Sequence, residues 1–490
     1  MTVILEHAGF IDGAYVAGMG ETMAVDNPSD ESVIATLRSL STAQIKAAIG
    51  AARRGFDEGH WSGMPVGQRA VILRRFAAAM ASRADRLKEL AIAEAGCPVS
   101  SSVMMAQVSS PLRHANEIID LFLKLPEIEE NPIPLSERVN PVGMVIQSLR
   151  RYTPAGVVAA IAANNVPFYT ALWKVMPALI AGNTVIVRPN PLTPLSAMVF
   201  AQAAVEAELP AGVLNVVIEG GLEGAQLLTT DPGVDMVAFT GSSTVGAAVM
   251  AQAATTMKRL QLELGGKSAQ IFLPDAIDRA AMHARIVCVS HAGQGCALGT
   301  RIFVPQQSKA AVIAKMVEEI SKIRIGPASD PATQTGPVIS ASQRARCEHY
   351  VRVSVEHGAR VAVGGKRPAH LDKGYYFEPT ILDVPDNSNP AAQDEIFGPI
   401  VSVIGYHDLD HAVAMANDSR YGLSGYVHGA DKQLALKVAL GIRSGTVNVN
   451  GALASAFASA GGQRMSGIAR ERGIEGLRIY QQLTCLNIGG

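Results

Sequence analysis

The sequence predicts an α/β protein of two lobes, the first built on a parallel sheet covered on both faces. Two observations carry this. Between Gly156 and Ala253, short runs rich in β-branched residues (Val157–Ala162, Thr184–Val187, Val213–Ile218, Met236–Phe239) alternate with helix-like segments (Phe168–Ile180, Leu195–Glu208, Leu222–Thr229, Val245–Ala253). Continuous apolar runs are the mark of strands buried on both faces, and parallel neighbours need a helical crossover between them. A second alternation begins near Ser268, with strands at Ala269–Leu273, Ile302–Val304 and Ala359–Val363, and implies a second α/β lobe.

Upstream, Phe10–Val16 reads as a hairpin around Asp12-Gly13, a dipeptide that tolerates the positive φ of a tight turn. Thr42–Phe56 is helical. An alanine-rich stretch, Gln68–Glu94, predicts one long helix stopped by Gly96 and Pro98. The proline- and acid-rich segment Pro126–Arg138 breaks the helical pattern, and Met144–Tyr152 alternates like a strand. Small residues over Ala454–Gly462 indicate a loop, and the chain from Gly461 is glycine-rich, then amphipathic. A doubly covered parallel sheet binds its ligand beyond the carboxyl ends of its strands. The first strand therefore delivers Ala163, Asn164 and Asn165 to a cleft, the second Arg188, and the fourth Thr240, Gly241 and Ser242.

Composition narrows the classes. The chain has 490 residues, with 42 Lys+Arg against 43 Asp+Glu and a net charge of −1, and is 48% hydrophobic and 17% charged. Such a chain has ample core material for two or three domains and is not disordered. The neutral balance argues against nucleic acid or an anionic membrane as partner. Neither a long uninterrupted apolar span nor a basic-then-apolar leader is visible, so a cytoplasmic enzyme is expected. The five cysteines are scattered and fit neither a disulfide framework nor a C-x-x-C metal site, so no metal is expected.

Three segments could do chemistry. Gly293-Gln294-Gly295-Cys296 places a thiol among small residues, where a substrate can approach; alone it reads equally as a buried cysteine in a turn. Glu263-Leu264-Gly265-Gly266-Lys267 offers a carboxylate before a glycine pair, or simply a charged strand end. Phe239-Thr240-Gly241-Ser242 leads from a strand into a helix, where backbone N–H groups can receive a phosphate, although a Ser-capped helix looks the same.

Together, in this order and spacing, these blocks resemble the aldehyde dehydrogenase superfamily over nearly the whole chain. Glu395-Ile396-Phe397-Gly398-Pro399, Trp173-Lys174, Gly445–Asn450 and Met465-Ser466-Gly467 also follow family form. The resemblance implies a Rossmann-type dinucleotide-binding lobe (1–130 and 151–264) and an α/β catalytic lobe (265–462). It also implies a small β arm (131–150 with 463–490) that pairs subunits into a homodimer or homotetramer. It implies NAD or NADP as cofactor and a small-molecule aldehyde as substrate. By the same resemblance Cys296 is the nucleophile, Asn165 with the Cys296 N–H holds the oxyanion, and Glu263 activates water to release a free acid. Cofactor contacts fall on Ala162, Ala163, Arg188, Asn190, Thr240, Gly241, Ser242, Val245, Leu264, Glu395 and Phe397. The substrate pocket falls on Phe168, Tyr169, Trp173, Gly295, Ala297 and Phe457.

The chain departs from the family pattern in places. Asn164 stands where the oxyanion block has an aromatic residue, and His291 where an Asn is usual. Arg188-Pro189-Asn190-Pro191 replaces a Lys-Pro-x-Glu block, which predicts that NADP is accepted beside NAD. No arginine lies in Phe168–Leu172 or Gly451–Ser459, so a roomy apolar pocket for medium-chain, aromatic or terpenoid aldehydes is expected. An alternative reading is a cysteine esterase or thioesterase with a degraded cofactor site, using His291 beside Cys296.

Overall fold

The apolar runs of the first lobe pair as expected, because strands without a polar face are stable only between two covering layers. A computed structural model describes residues 3–452, 455 and 457–489. In it Val157–Ile161, Thr184–Arg188 and Leu214–Val217 are buried at every position, and Met236–Thr240 at all but the last. With Arg259–Glu263 they form a parallel core. Val157–Ile161 is central, with Thr184–Arg188 and then Leu214–Val217 on one side and Met236–Thr240 and then Arg259–Glu263 on the other. The chain thus runs outward in one direction and returns to the other side. This reversal opens a crevice beyond the carboxyl ends of Val157–Ile161 and Met236–Thr240. Alternate residues feed opposite layers: Val158 and Ala160 face one core, Val157, Ala159 and Ile161 the other.

Antiparallel strands close both edges. The hairpin Gly9–Ile11 and Ala14–Val16 adds to Leu214–Val217, turning through Asp12 (φ 53°) and Gly13 (φ 83°). At the other edge Gly467–Ile468 pairs with Leu262 and Glu263, so the C-terminal segment is not confined to an arm. The second lobe is a seven-stranded sheet whose centre is Ile400–Tyr406, Arg301–Pro305, Ala269–Phe272 and Ser424–His428, all parallel. A separate three-stranded sheet joins Gln481–Gly489 to Ile146–Pro154 and Ile128–Glu130. Among the described residues no helix is long and apolar enough to cross a membrane.

Three features differ from expectation. The stretch Gln68–Glu94 is two helices, Val66–Ala81 and Ala84–Ala93. Ser82 Oγ and Arg83 Nη1 both donate to the Ala79 carbonyl, and side-chain capture of a late carbonyl ends the first helix. A small sheet of Val3–Leu5, Val33–Arg38 and Thr22–Asp26 was not foreseen. The helix Ser110–Phe122 is entered through a π-helical turn, Met105–Ser109, which turns Gln107 inward.

Candidate active site

Cys296 follows the helix Ala280–Val289 on a loop whose shape is set by three successive left-handed residues: His291 (φ 50°), Ala292 (φ 51°) and Gly293 (φ 73°). A Cβ at Gly293 would lie 2.0 Å from the Gly398 carbonyl oxygen, so only glycine fits. The Gln294 side chain then pins the loop, accepting from the Ile339 N–H (2.8 Å) and donating to the His291 carbonyl (3.0 Å). Residues 291–294 are buried while Gly295, Cys296, Ala297 and Leu298 are half-buried. Behind it the chain at Gly266 comes so close that a Cβ would lie 2.5 Å from the Cys296 carbonyl.

Asn165 reaches the same loop from the end of strand Val157–Ile161. Its Nδ2 donates to the Gln294 carbonyl at 2.8 Å, leaving its second amide hydrogen free, and its own carbonyl accepts from Gln107 Nε2 at 2.7 Å. Glu263 ends its strand beneath, with Oε1 buried and unpaired. Burial, then the Glu471 carboxylate, push Glu263 up to about 8, against Lys174, Arg472 and Arg470. Burial pushes the Cys296 thiol up to about 12, and the Glu395 and Glu263 carboxylates add to this. The thiol is therefore protonated at rest, within electrostatic reach of the Glu263 carboxylate.

The crevice of the first lobe meets this loop. Ala162 and Ala163 leave the central strand; Ala162 donates to the Arg188 carbonyl (3.1 Å) and Ala163 to Thr170 Oγ1 (3.2 Å). Ser242 caps the helix Ser243–Ala253, accepting from the Val245 N–H, and Val245 exposes 49% of its surface to the opening. A Cβ at Gly246 would lie 2.5 Å from Leu264, so this helix start sits hard against the segment after Glu263. An open helix N-terminus and a half-exposed valine suit a dinucleotide's pyrophosphate and adenine. At the second strand end the Arg188 guanidinium is engaged: Nε bonds Glu219 Oε1 (2.7 Å) and Nη2 the Gly221 carbonyl (2.9 Å). Asn190 Oδ1 accepts from the Leu192 N–H (3.0 Å). Glu395 folds onto the glycine pair, accepting from the Gly266 N–H at 3.0 Å, and Phe397 follows at φ 63°.

The chain is similar to known proteins over nearly its whole length. The aldehyde dehydrogenase family profile matches residues 15–486. Geranial dehydrogenase of Castellaniella defragrans is 35% identical over 484 residues, 98% of each chain. An aldehyde dehydrogenase of Mycobacterium tuberculosis complexed with NAD+ superposes with a TM-score of 0.93 at 36% identity, over 99% of this chain and 98% of that one. A mutant aldehyde dehydrogenase C of Pseudomonas syringae, complexed with NAD+ and octanal, gives 0.91 at 33% identity, over 98% and 96%. The chain belongs to the aldehyde dehydrogenase family.

As an NAD(P)-dependent aldehyde dehydrogenase it oxidises an aldehyde, and the substrate side can be read against that. Tyr169 and Trp173 lie on one face of the helix Pro167–Ile180, with ring centroids 6.3 Å apart. Phe168 is different: it is buried and stacked on Phe200 at 5.0 Å, so it belongs to the core and not to the pocket. The helix is buried on nearly every side, and successive residues necessarily face different layers. Phe457 is 38% exposed, while Leu453, Ala454 and Ala456 of the expected apolar loop lie outside the described residues. Ala297 accepts from the Tyr426 hydroxyl at 2.8 Å.

Sequence reasoning missed several groups in this dehydrogenase. Arg472, absent from the two segments inspected for arginine, has its guanidinium over both Tyr169 (5.4 Å) and Trp173 (5.7 Å). Glu471 and Lys174 flank Glu263, Glu219 holds Arg188, and Gln107 holds Asn165. Only the charged run Arg470-Glu471-Arg472 beside Gly473 hinted at anything, since charges in a glycine-bounded turn usually point to solvent. His291 is buried with both ring nitrogens unpaired, and burial pushes it down to about 4. It is a neutral packing residue and no partner of the thiol.

Proposed function

We propose that this dehydrogenase converts a medium-chain, aromatic or terpenoid aldehyde to the free carboxylic acid through a thiohemiacetal and a thioester on Cys296. The observation that carries the free-acid outcome is Glu263, a buried, unpaired carboxylate raised to about 8. Such a group can accept a proton near neutral pH, as hydrolysis of an acyl-enzyme requires. In the first step Cys296 Sγ bonds to the aldehyde carbon while the thiol proton passes to solvent. The carbonyl oxygen becomes an oxyanion, met by the free Asn165 Nδ2–H and the Cys296 N–H. The bound dinucleotide supplies the acceptor for the hydride lost by that carbon. Glu263 then deprotonates a water, whose oxygen bonds to the acyl carbon as the C–S bond breaks and the acid leaves.

Tyr169 and Trp173 offer aromatic surface to an apolar substrate body, and the geranial and octanal of the two relatives are consistent with it. Measuring reduced cofactor with a series from acetaldehyde to octanal tests the reading. kcat/KM should rise with length, each added CH2 contributing about 0.8 kcal/mol at most. A flat or falling series overturns it. The esterase alternative draws no support from His291, whose ring nitrogens have no hydrogen-bond partner.

NAD and NADP are both accepted in this reading. Pro191 brings no charge, and Arg188 and Glu219 cancel one another 2.7 Å apart, so neither strongly attracts nor excludes a 2′-phosphate. The sheet of Gln481–Gly489 and Ile146–Pro154 exposes Leu483 and Ile488, and Met144 and Val145 just before it are also exposed, a surface suited to a second subunit in a dimer or tetramer. The location is cytoplasmic in this reading, which cell fractionation tests.

A further inference from the structure

The Arg472 side chain makes no hydrogen bond or ion pair among the described residues, although it lies against the Tyr169 and Trp173 rings. Its chain neighbour Glu471 is taken by Lys174 at 2.9 Å. Its guanidinium lies over the Tyr169 and Trp173 rings, and its Nε is buried without a partner. Stacking of this kind uses the face of the guanidinium and leaves the N–H groups of its edge free. The placement is specified by the backbone. Arg472 has φ 61°, where L residues are rarely found, and a Cβ on the following Gly473 would lie 2.8 Å from the Ser459 N and 3.1 Å from the Phe457 carbonyl. The residue is thereby wedged under the Phe457 loop, within electrostatic reach of Cys296, Glu263 and Tyr169. A buried N–H without a partner is rare in a folded protein and is satisfied when a ligand oxygen arrives. A permanently charged planar fork matches a carboxylate better than any other group.

We propose that Arg472 forms an anion subsite beside Cys296, selecting aldehydes whose apolar body carries a carboxylate as well as the reacting carbonyl. The proposal rests on Cys296 as the nucleophile of aldehyde oxidation and refines the apolar pocket: Tyr169 and Trp173 hold the hydrocarbon, Arg472 the acid.

The test compares ω-oxo carboxylic acids of increasing length with alkanals of equal length and with the methyl esters of the same oxo acids. Reduced cofactor is the readout. At the length that spans Cys296 to Arg472, the oxo acid should exceed its alkanal and its ester in kcat/KM by about tenfold or more. Arg472→Met should bring that ratio to about one, and Arg472→Lys, a point charge without the fork, should restore part of it. Equal use of acid, ester and alkanal by the wild type overturns the subsite. So does an equal loss for all three in Arg472→Met, which would make the arginine a countercharge to Glu263. If no aldehyde of any kind is oxidised, the underlying reading of Cys296 fails instead. The ester comparison needs no variant and stands even if Arg472→Met does not fold.

Discussion

Lys174 Nζ donates to Glu471 Oε1 at 2.9 Å across 297 positions of chain, and to Thr240 Oγ1 at 2.6 Å. The lysine side chain is wholly buried, so this ion pair ties the cofactor crevice to the pocket that holds Glu263. Glu471 raises Glu263 and Lys174 lowers it. Glu471→Gln removes the raising charge and leaves the lowering one, so Glu263 ionises at lower pH. Because the base acts ionised, the rate of thioester hydrolysis rises with pH through about 8 in the wild type and should rise at lower pH in this variant. Lys174→Met should move the profile the other way. It should also destabilise the fold by about 3–5 kcal/mol, since a buried carboxylate loses its partner. Pre-steady-state pH profiles and denaturant unfolding measure both, and unshifted profiles in the two variants would refute the coupling.

Cys296→Ala should abolish aldehyde oxidation while leaving dinucleotide binding largely intact. The other thiols divide by burial: Cys485 is exposed, and Cys97, Cys288 and Cys347 are buried. Cys485→Ser should be silent. Serine at the three buried positions should cost about 1–3 kcal/mol of stability for an unpaired hydroxyl, without touching the chemistry. Near-normal turnover in Cys296→Ala would remove the mechanism.

Glu263→Gln separates the two half-reactions. Hydrolysis needs the carboxylate, so turnover should fall by at least about a hundredfold. A burst of reduced cofactor near one equivalent per active subunit should remain if the resting thiol, raised to about 12, can lose its proton to solvent. Absence of a burst on stopped-flow would assign Glu263 to thiol deprotonation as well.

The Arg188–Glu219 pair makes a separate prediction about cofactor choice. Glu219 also accepts from the Gly224 (2.8 Å) and Ala225 (2.7 Å) N–H groups, and Glu219→Gln removes its charge at the cost of one of these acceptors. Arg188 then carries an uncompensated positive charge, and kcat/KM for NADP should rise several-fold relative to NAD. Pro191→Glu adds a negative charge at the same opening and should do the reverse. Identical cofactor ratios in wild type and both variants would show that this corner does not face the 2′ position.

What the sequence determined alone is local and periodic. The β-branched runs from Val157 to Phe239 could pair only inside a covered parallel sheet. The glycines around Cys296 and Glu263 marked where chain segments must approach closely, and Gly266 and Gly293 do so. Boundaries failed where side chains bond to nearby backbone, as Ser82 and Arg83 do to Ala79. The surroundings of the site were decided only by tertiary structure. Glu471 and Arg472 reach Glu263, Tyr169 and Trp173 because Gly467–Ile468 pairs with the end of the Glu263 strand, a contact no periodicity encodes. Glu219 likewise meets Arg188 only through the fold. A charge's meaning depends on its partner and its burial, and those belong to the folded chain.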